Sequence, residues 1–397
     1  VACVALRSPL DYKTTAVDAH RPQDAAGSMI CVGIDENGLG PRLGPLVVTA
    51  VMATVTDEAR KRVEARPRGG ARSRLGDSKR LVAYGDSALG EAWARAIARR
   101  MGLASATSPQ ALVQALSLDP DDTLRALCPS SNGQSHARQC WSAEGEGFVA
   151  DEPLVAHVEK DLARLSARGI TVEHTAVVVT CTRRLNDAVA QGLSRFDVDL
   201  HAMERLTLDA RARAGRDVVS TCGKVGGYDR YPQAFGPLAG RLHAVVIEGR
   251  ARSEYAIPGL GRIAFVRDAD DRHLLVSMAS LVGKWTRDLL MARIVRYHRE
   301  HDAGLPDASG YHDPVTARFV EATRLHRKRR LLPDECFERR ALGSARPPPG
   351  FDGFGGGPDE LAAEQRSGDR RSPRSRGQDR RGATGSTPRA SRPSRRA

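Results

Sequence analysis

Apolar and polar positions follow two rhythms along this chain. Short β-rich runs, most of them apolar, fall at 30–35, 45–54, 174–181, 216–221, 242–248 and 263–267. Runs of this length that are rich in Val and Ile predict strands. Residues 87–101, 155–167, 274–299 and 314–325 instead place apolar side chains three and four apart, which predicts helices with one face on a core. Strands mixed with helices in this way predict an α/β domain with helices packed on a sheet. Residues 105–150 fit neither rhythm. They are rich in Ser, Gly and polar residues and read as an insertion with one helix.

Composition sharpens the boundaries. Hydrophobic residues make up 41% of the 397, enough for a core, yet aromatics are only 5%, and there are 38 Gly and 22 Pro. That balance predicts unstructured flanks around a folded centre. Residues 1–28 lack periodicity and read as a disordered extension, with Met29 opening the folded part. Residues 29–340 read as the domain, and 341–397 as a disordered tail that starts with the Pro/Gly stretch "RPPPGFDGFGGGPDE". The net charge of +13 is mostly the tail's, because residues 366–397 hold 11 Arg and 2 Asp, which is +9 and leaves about +4 for the rest. Charge alone therefore does not identify a partner for the body, and the tail reads as a solubilising extension or a nonspecific phosphate contact. Seven scattered cysteines without a CxxC pair argue against a zinc site or a disulfide scaffold and predict reduced thiols. No apolar run approaches the roughly 18 residues of a membrane span, and no secretion-signal core is visible. A cytoplasmic monomer is the expectation.

Candidate chemistry begins at "VGIDENGLGPRLGPLVVTAV", residues 32–51. An apolar run ends in Asp35 and Glu36, and a turn with Gly38, Gly40 and Gly44 follows. Adjacent strand residues point to opposite faces, so both acids meet one ion only where the strand ends or bends. The glycines permit that bend and allow close backbone approach to a ligand. Hard carboxylate oxygens suit Mg²⁺ or Mn²⁺, ions that assist phosphoryl displacement. A second acidic feature, "FVRDADDRHLLVSMASLVGKWTRDLLM" (265–291), brings Asp268, Asp270 and Asp271 to a strand end before a helix with small residues at Ser277, Ala279 and Ser280. On that helix Lys284 and Asp288 stand four apart, the spacing of a surface ion pair. "GDSKRL" (76–81) precedes another helix, and "SGYHDPVTARFV" (309–320) places Tyr311 in a glycine-bearing turn.

Taken together and in this order, these stretches resemble ribonuclease HII, the junction-cutting type of ribonuclease H. That family's GIDE strand and GRGPxxGP turn match Gly33-Ile34-Asp35-Glu36, Gly38-Leu39-Gly40-Pro41 and Gly44-Pro45. Its DSKKL matches Asp77-Ser78-Lys79-Arg80-Leu81. Its aspartate before an AASILAKVTRDxxM helix matches Asp270 before Met278 to Asp288, with Met291. Its KGYGT-type turn matches Ser309 to Asp313, and its closing HR matches His326-Arg327. The match spans roughly 29–340, with the middle third poorly matched.

The resemblance implies an α/β, ribonuclease H-like mixed sheet flanked by helices, with a C-terminal helical portion. It implies a nuclease that cuts the RNA strand of RNA–DNA hybrids, or cuts 5′ of ribonucleotides embedded in duplex DNA, with two Mg²⁺ or Mn²⁺ ions held by four carboxylates. Asp35, Glu36 and Asp270 would be three of those ligands. Gly38, Leu39 and Gly40 would sense the ribose 2′-OH through backbone groups, Lys79 and Lys284 would contact substrate, and Tyr311 would stack beside the sugar. Two positions depart from the family. The third aspartate is replaced within "DVVSTCGKVGGYDRY" (217–231), where Cys222 or Gly223 occupies its place. A thiolate is a poor ligand for Mg²⁺, and Asp229 or Asp217 substitutes only if the backbone folds unusually. The turn's arginine is Leu39. Two functions follow as expectations: an endoribonuclease with a depleted or rewired site, or an impaired relative that binds hybrid or duplex nucleic acid without cleaving it.

Overall fold

Strand β1 (Ser28–Asn37) lies at the centre of a sheet, between β2 (Leu46–Thr56), which runs antiparallel to it, and β4 (Val218–Gly223), which runs parallel. A strand paired on both edges and covered on both faces must be apolar at nearly every position. Ile30, Val32 and Ile34 accordingly enter one core and Cys31 the opposite one. The remaining strands are β3 (Ile170–Thr180), β5 (Ala244–Ile247), β6 (Arg252–Ile257) and β7 (Gly261–Val266), in the spatial order β3-β2-β1-β4-β7-β6-β5. β1, β2 and β3 form an antiparallel meander, β7 runs parallel to β4, and β6 and β5 turn back antiparallel. The structure is a computed structural model that describes residues 27–67, 73–76, 78–119, 140, 143–226 and 228–340. Residues 1–26, most of 120–142 and the tail from 341, with the expectations placed on them, lie outside the described residues.

Helices of eight or more residues are α1 (Ala88–Arg100), α2 (Pro109–Leu116), α3 (Glu152–Ser166), α4 (Thr182–Ala190), α5 (Arg195–Ala214), α6 (Leu274–Arg299) and α7 (Pro314–Ala322). α6, α1 and α3 cover one face of the sheet, and α5 covers the other. A third cluster joins Leu43, Met291, Ile294 and Phe319 with Phe337 of the short helix Asp334–Phe337, so the C-terminal helical portion is present. The mixed sheet flanked by helices implied by the resemblance is therefore observed. The expected helix at 314–325 stops at Ala322 and restarts as Arg324–Arg329. α5, β6, α4 and the helix Asp334–Phe337 were not among the expected elements. Among the described residues no helix is long and apolar enough to cross a membrane.

The long helix α6 is buried almost all round because it lies directly on β1. A Cβ on Gly33 would stand 2.3 Å from both the carbonyl carbon of Leu275 and the nitrogen of Val276. Only hydrogen fits there. His273 begins this helix, its Nδ1 accepting from the Val276 amide at 3.4 Å.

Burial lowers the imidazole pKa of His273 to about 3, of His298 to about 3 and of His174 to about 4. These groups stay neutral in the folded chain while the unfolded chain protonates them near 6.5, so they withdraw stability as pH falls from about 6.5 toward 4. Glu204 opposes them. Burial raises its carboxyl to about 7, so its contribution is present at low pH and is lost as pH rises toward 7. The raised carboxyl of Asp199 acts in the same sense as Glu204, and three histidines against two carboxyls leave a net loss on acidification on the order of 1 kcal/mol per pH unit. The urea midpoint is expected to fall steadily between pH 6.5 and 5. A midpoint constant over that range would contradict these burial assignments.

Candidate active site

The two acids meet where β1 reaches the edge of its parallel neighbour. Ile34 is in register with Cys222 of β4, so Asp35 and Gly223 lie side by side on the next step of the pleat, facing the α6 side. Asp35 is 8% exposed, and Glu36 is half-buried. A Cβ on Gly223 would stand 2.9 Å from Asp35 Oδ1 and 3.5 Å from Glu36 Oε2. Both carboxylates thus reach one point despite the alternation of the strand, and that point is filled by a glycine hydrogen.

Of Cys222 and Gly223, it is Gly223 that stands beside Asp35 and Glu36. Cys222 points the opposite way, fully buried in the core beneath α5, and burial followed by the nearby Asp199, Glu204 and Asp35 carboxyls pushes its thiol well up. Asp229 is engaged elsewhere. Its Oδ1 accepts from Lys224 Nζ at 2.6 Å, and that ammonium also donates to the carbonyls of Gly249 and Arg250. Asp217 precedes β4 at its far end, paired with Arg211, about 20 Å along the strand from Gly223.

Asp270 belongs to the single-turn helix Ala269–Arg272, which packs on β4. The preceding Asp268 adopts φ +53°, a left-handed turn that carries the chain sharply from β7 into this helix. Asp270 Oδ1 accepts from the Asp271 amide at 3.1 Å, and its carbonyl accepts from the Ser277 hydroxyl. Asp271 is drawn away to Arg66. Among the described residues no group of three His, Cys, Asp or Glu side chains is arranged to hold a metal ion.

The glycine turn and the Tyr311 turn, 270 residues apart in sequence, are zipped together. The amides of Arg42 and Leu43 donate to the Gly310 carbonyl at 2.8 and 2.9 Å. Gly38 takes φ +91°, and a Cβ there would strike Arg287 Nε at 2.6 Å. Arg287 reaches across to the Ser309 carbonyl at 3.0 Å and stacks its guanidinium 4.6 Å from the Tyr311 ring centroid, while that ring is 44% exposed. Leu39 is half-buried against the core beneath α5, and Gly40 at the tip is exposed. Arg287 therefore supplies a cation beside a turn that lacks one at Leu39. Lys284 donates to Asp288 at 3.0 Å, and Arg287 lies 3.3 Å from the same carboxylate. These groups are 17%, 5% and 2% exposed, so the expected surface pair is instead an internal triad. Ser280 donates to Ser78 at 2.8 Å, which brings the "DSKRL" stretch to α6. Asp77 and the Lys79 side chain lie outside the described residues.

Two residues near the site were not anticipated. Asp199 on α5 is completely buried, and neither carboxyl oxygen has a hydrogen-bond partner among the described residues. Burial, with the Glu36 charge behind it, pushes its pKa well up. Arg339 lies beneath the glycine turn and is 4% exposed. No periodicity marks Arg339. Asp199 does share a helix stripe with Met203, Leu206 and Ala210, which is a sequence signal for a buried acid.

No protein-family profile and no curated protein matches the chain. Among solved structures it is similar to a chain of the PCNA:RNase HII complex from Archaeoglobus fulgidus, at 16% identity over 79% of this chain and 96% of that one, with a TM-score of 0.35. It is similar to Bst-RNase HIII in complex with Mn²⁺ at 14% identity, over 82% and 72%, with a TM-score of 0.38. Ribonuclease H2 from Pyrococcus horikoshii OT3 matches at 13% identity, over 86% and 100%, with a TM-score of 0.34. At these scores the likeness decides nothing about the chemistry of this chain, which rests on its own residues.

Proposed function

We propose that this chain is a ribonuclease H-type protein that binds an RNA–DNA hybrid, or duplex DNA carrying ribonucleotides, at the edge where β1 ends, and that glycine at position 223 impairs its cleavage of the RNA strand. The observation that carries this reading is the closure of turn 38–44 onto turn 309–311 beside Asp35. The paired turns present an exposed Gly40, through which backbone can approach a ribose, and an exposed Tyr311 ring, backed by a guanidinium, on which a sugar or base can rest.

A two-ion Mg²⁺ or Mn²⁺ centre of the kind implied by the resemblance does not fit the residues present. Asp35 and Glu36 converge beside Gly223, but glycine offers no carboxylate there, and the described acids form no group of three. Asp35 and Glu36 bring two carboxylates to this edge, and these repel a phosphate. Binding is therefore expected to strengthen when any divalent cation screens them.

A second reading, a working endoribonuclease with three carboxylates, is favoured by the convergence of Asp35 and Glu36 on one point. A nicking assay on a duplex with one embedded ribonucleotide, in Mn²⁺ or Mg²⁺, separates the two. Turnover is expected at least about 100-fold below the roughly 10 s⁻¹ typical of enzymes, falling to background in Asp35→Asn. Fast turnover lost in Asp35→Asn supports the second reading. Absence of binding to the duplex at any cation concentration contradicts both.

A further inference from the structure

The glycine turn is held from below by the buried side chain of Arg339, with the Thr182 hydroxyl adding one bond to the Gly44 carbonyl at 3.2 Å. Arg339 Nη1 donates to the carbonyls of Gly38 at 2.6 Å and Leu39 at 3.2 Å, while its Nε and Nη2 donate to the Gly44 carbonyl at 3.0 and 2.8 Å. One planar guanidinium thus ties both ends of the turn, a geometry that the point-like ammonium of lysine cannot reproduce. The segment carrying it is anchored independently. The Arg339 amide donates to the Arg42 carbonyl at 3.0 Å, Asn186 of α4 donates to the carbonyls of Glu335 and Glu338 at 2.9 Å each, and the Arg340 amide donates to Asn186 at 2.8 Å.

The contacts give the turn a direction. Carbonyl oxygens at 38, 39 and 44 face inward to the guanidinium, the amides of Arg42 and Leu43 are taken by Gly310, and Pro41 has no N–H. The donors available at the tip are the amides of Leu39 and Gly40, which have no backbone acceptor among the described residues. A turn whose acceptors are sequestered and whose tip, with Gly40 exposed, carries amides lacking a backbone acceptor can read an oxygen, such as a ribose 2′-OH or a phosphate oxygen. Among the described residues no carboxylate forms an ion pair with Arg339. Burial, then Arg195 and Arg287, push its pKa well below the usual arginine value, so the carbonyls of the turn are its counterweight and the two hold each other in place.

We infer that Arg339 is the positioning residue that sets ribose selectivity in this chain, by locking turn 38–44 with its amides outward; the inference rests on the proposed binding of ribonucleotide-containing duplex at this edge. The test compares the full chain with Arg339→Lys and Arg339→Met, using fluorescence anisotropy with a duplex containing one ribonucleotide and with the all-DNA duplex of the same sequence. The natural chain is expected to prefer the ribonucleotide duplex about tenfold. Arg339→Met should bring the ratio to within about twofold with little change in affinity for DNA, and Arg339→Lys should fall between. Amide hydrogen exchange on the same proteins, without nucleic acid, should show faster exchange confined to 38–44 in Arg339→Met. A folded Arg339→Met that keeps the natural preference, or exchanges at the natural rate in that turn, overturns the assignment. If the natural chain shows no preference, the proposed function fails, and the exchange result still decides whether Arg339 locks the turn.

Discussion

Gly223→Asp is expected to raise Mn²⁺-dependent cleavage at an embedded ribonucleotide by roughly 10²–10³-fold over the natural chain, equivalent to about 3–4 kcal/mol of barrier. The place is already shaped for it. The Cβ of the new residue would stand beside Asp35 Oδ1 and Glu36 Oε2, and the 2.9 Å approach involves the end of a carboxylate that can rotate away. A third negative charge at this spot also has a cost without metal, because like carboxylates within a few ångströms resist ionising together. The variant should melt below the natural chain in EDTA and recover in Mn²⁺, whereas the natural chain should respond less to the ion. If the variant neither cleaves faster nor gains a larger Mn²⁺ shift in Tm, the missing carboxylate is not what limits this site.

The second large effect concerns the scaffold. Gly33→Ala places a methyl group 2.3 Å from two backbone atoms of α6, and no rotamer relieves a clash between backbone and Cβ. Either α6 lifts off β1 or the strand bows, and both open the core around Leu275, Met278 and Ala279. Overpacking against flexible side chains costs about 1–3 kcal/mol; against backbone, a loss of at least about 3 kcal/mol is expected, read as a drop in the urea midpoint at pH 7. Because α6 also carries Lys284 and Arg287, nucleic-acid binding should weaken in parallel. A midpoint within error of the natural chain would mean that helix and strand are not in contact as described.

Most of the central sheet was legible because its strands are buried on both faces and therefore uniformly apolar, as in 30–35 and 263–267. The helix at 274–299 was legible to the residue because small and apolar positions fill every side of it. β6 escaped because "RSEYAI" interleaves charge with apolar residues over only six positions, and its partner β5 has every residue exposed. α5 escaped because eight charged residues interrupt its apolar stripe, although Ser194 and Asp197 form a capping box and Gly215 closes the helix at φ +68°. At the site, the acids could be read from their position at a strand end, and the two glycine-bearing turns from their spacing. The choice between Cys222 and Gly223 could not, because it depends on strand register, and a shift of one residue reverses every facing. Arg339 was invisible for a different reason: its role is set by where the chain returns after α7, and no local pattern encodes that.

Recognition of ribose by a site short of one carboxylate is tested most directly by binding without catalysis. In EDTA, at a series of salt concentrations, the full chain should bind a duplex with one ribonucleotide about tenfold more tightly than its all-DNA counterpart. Both affinities should fall as salt rises, and the ratio should stay constant because the 2′-OH is uncharged. Equal affinity for the two duplexes at every salt concentration would contradict it.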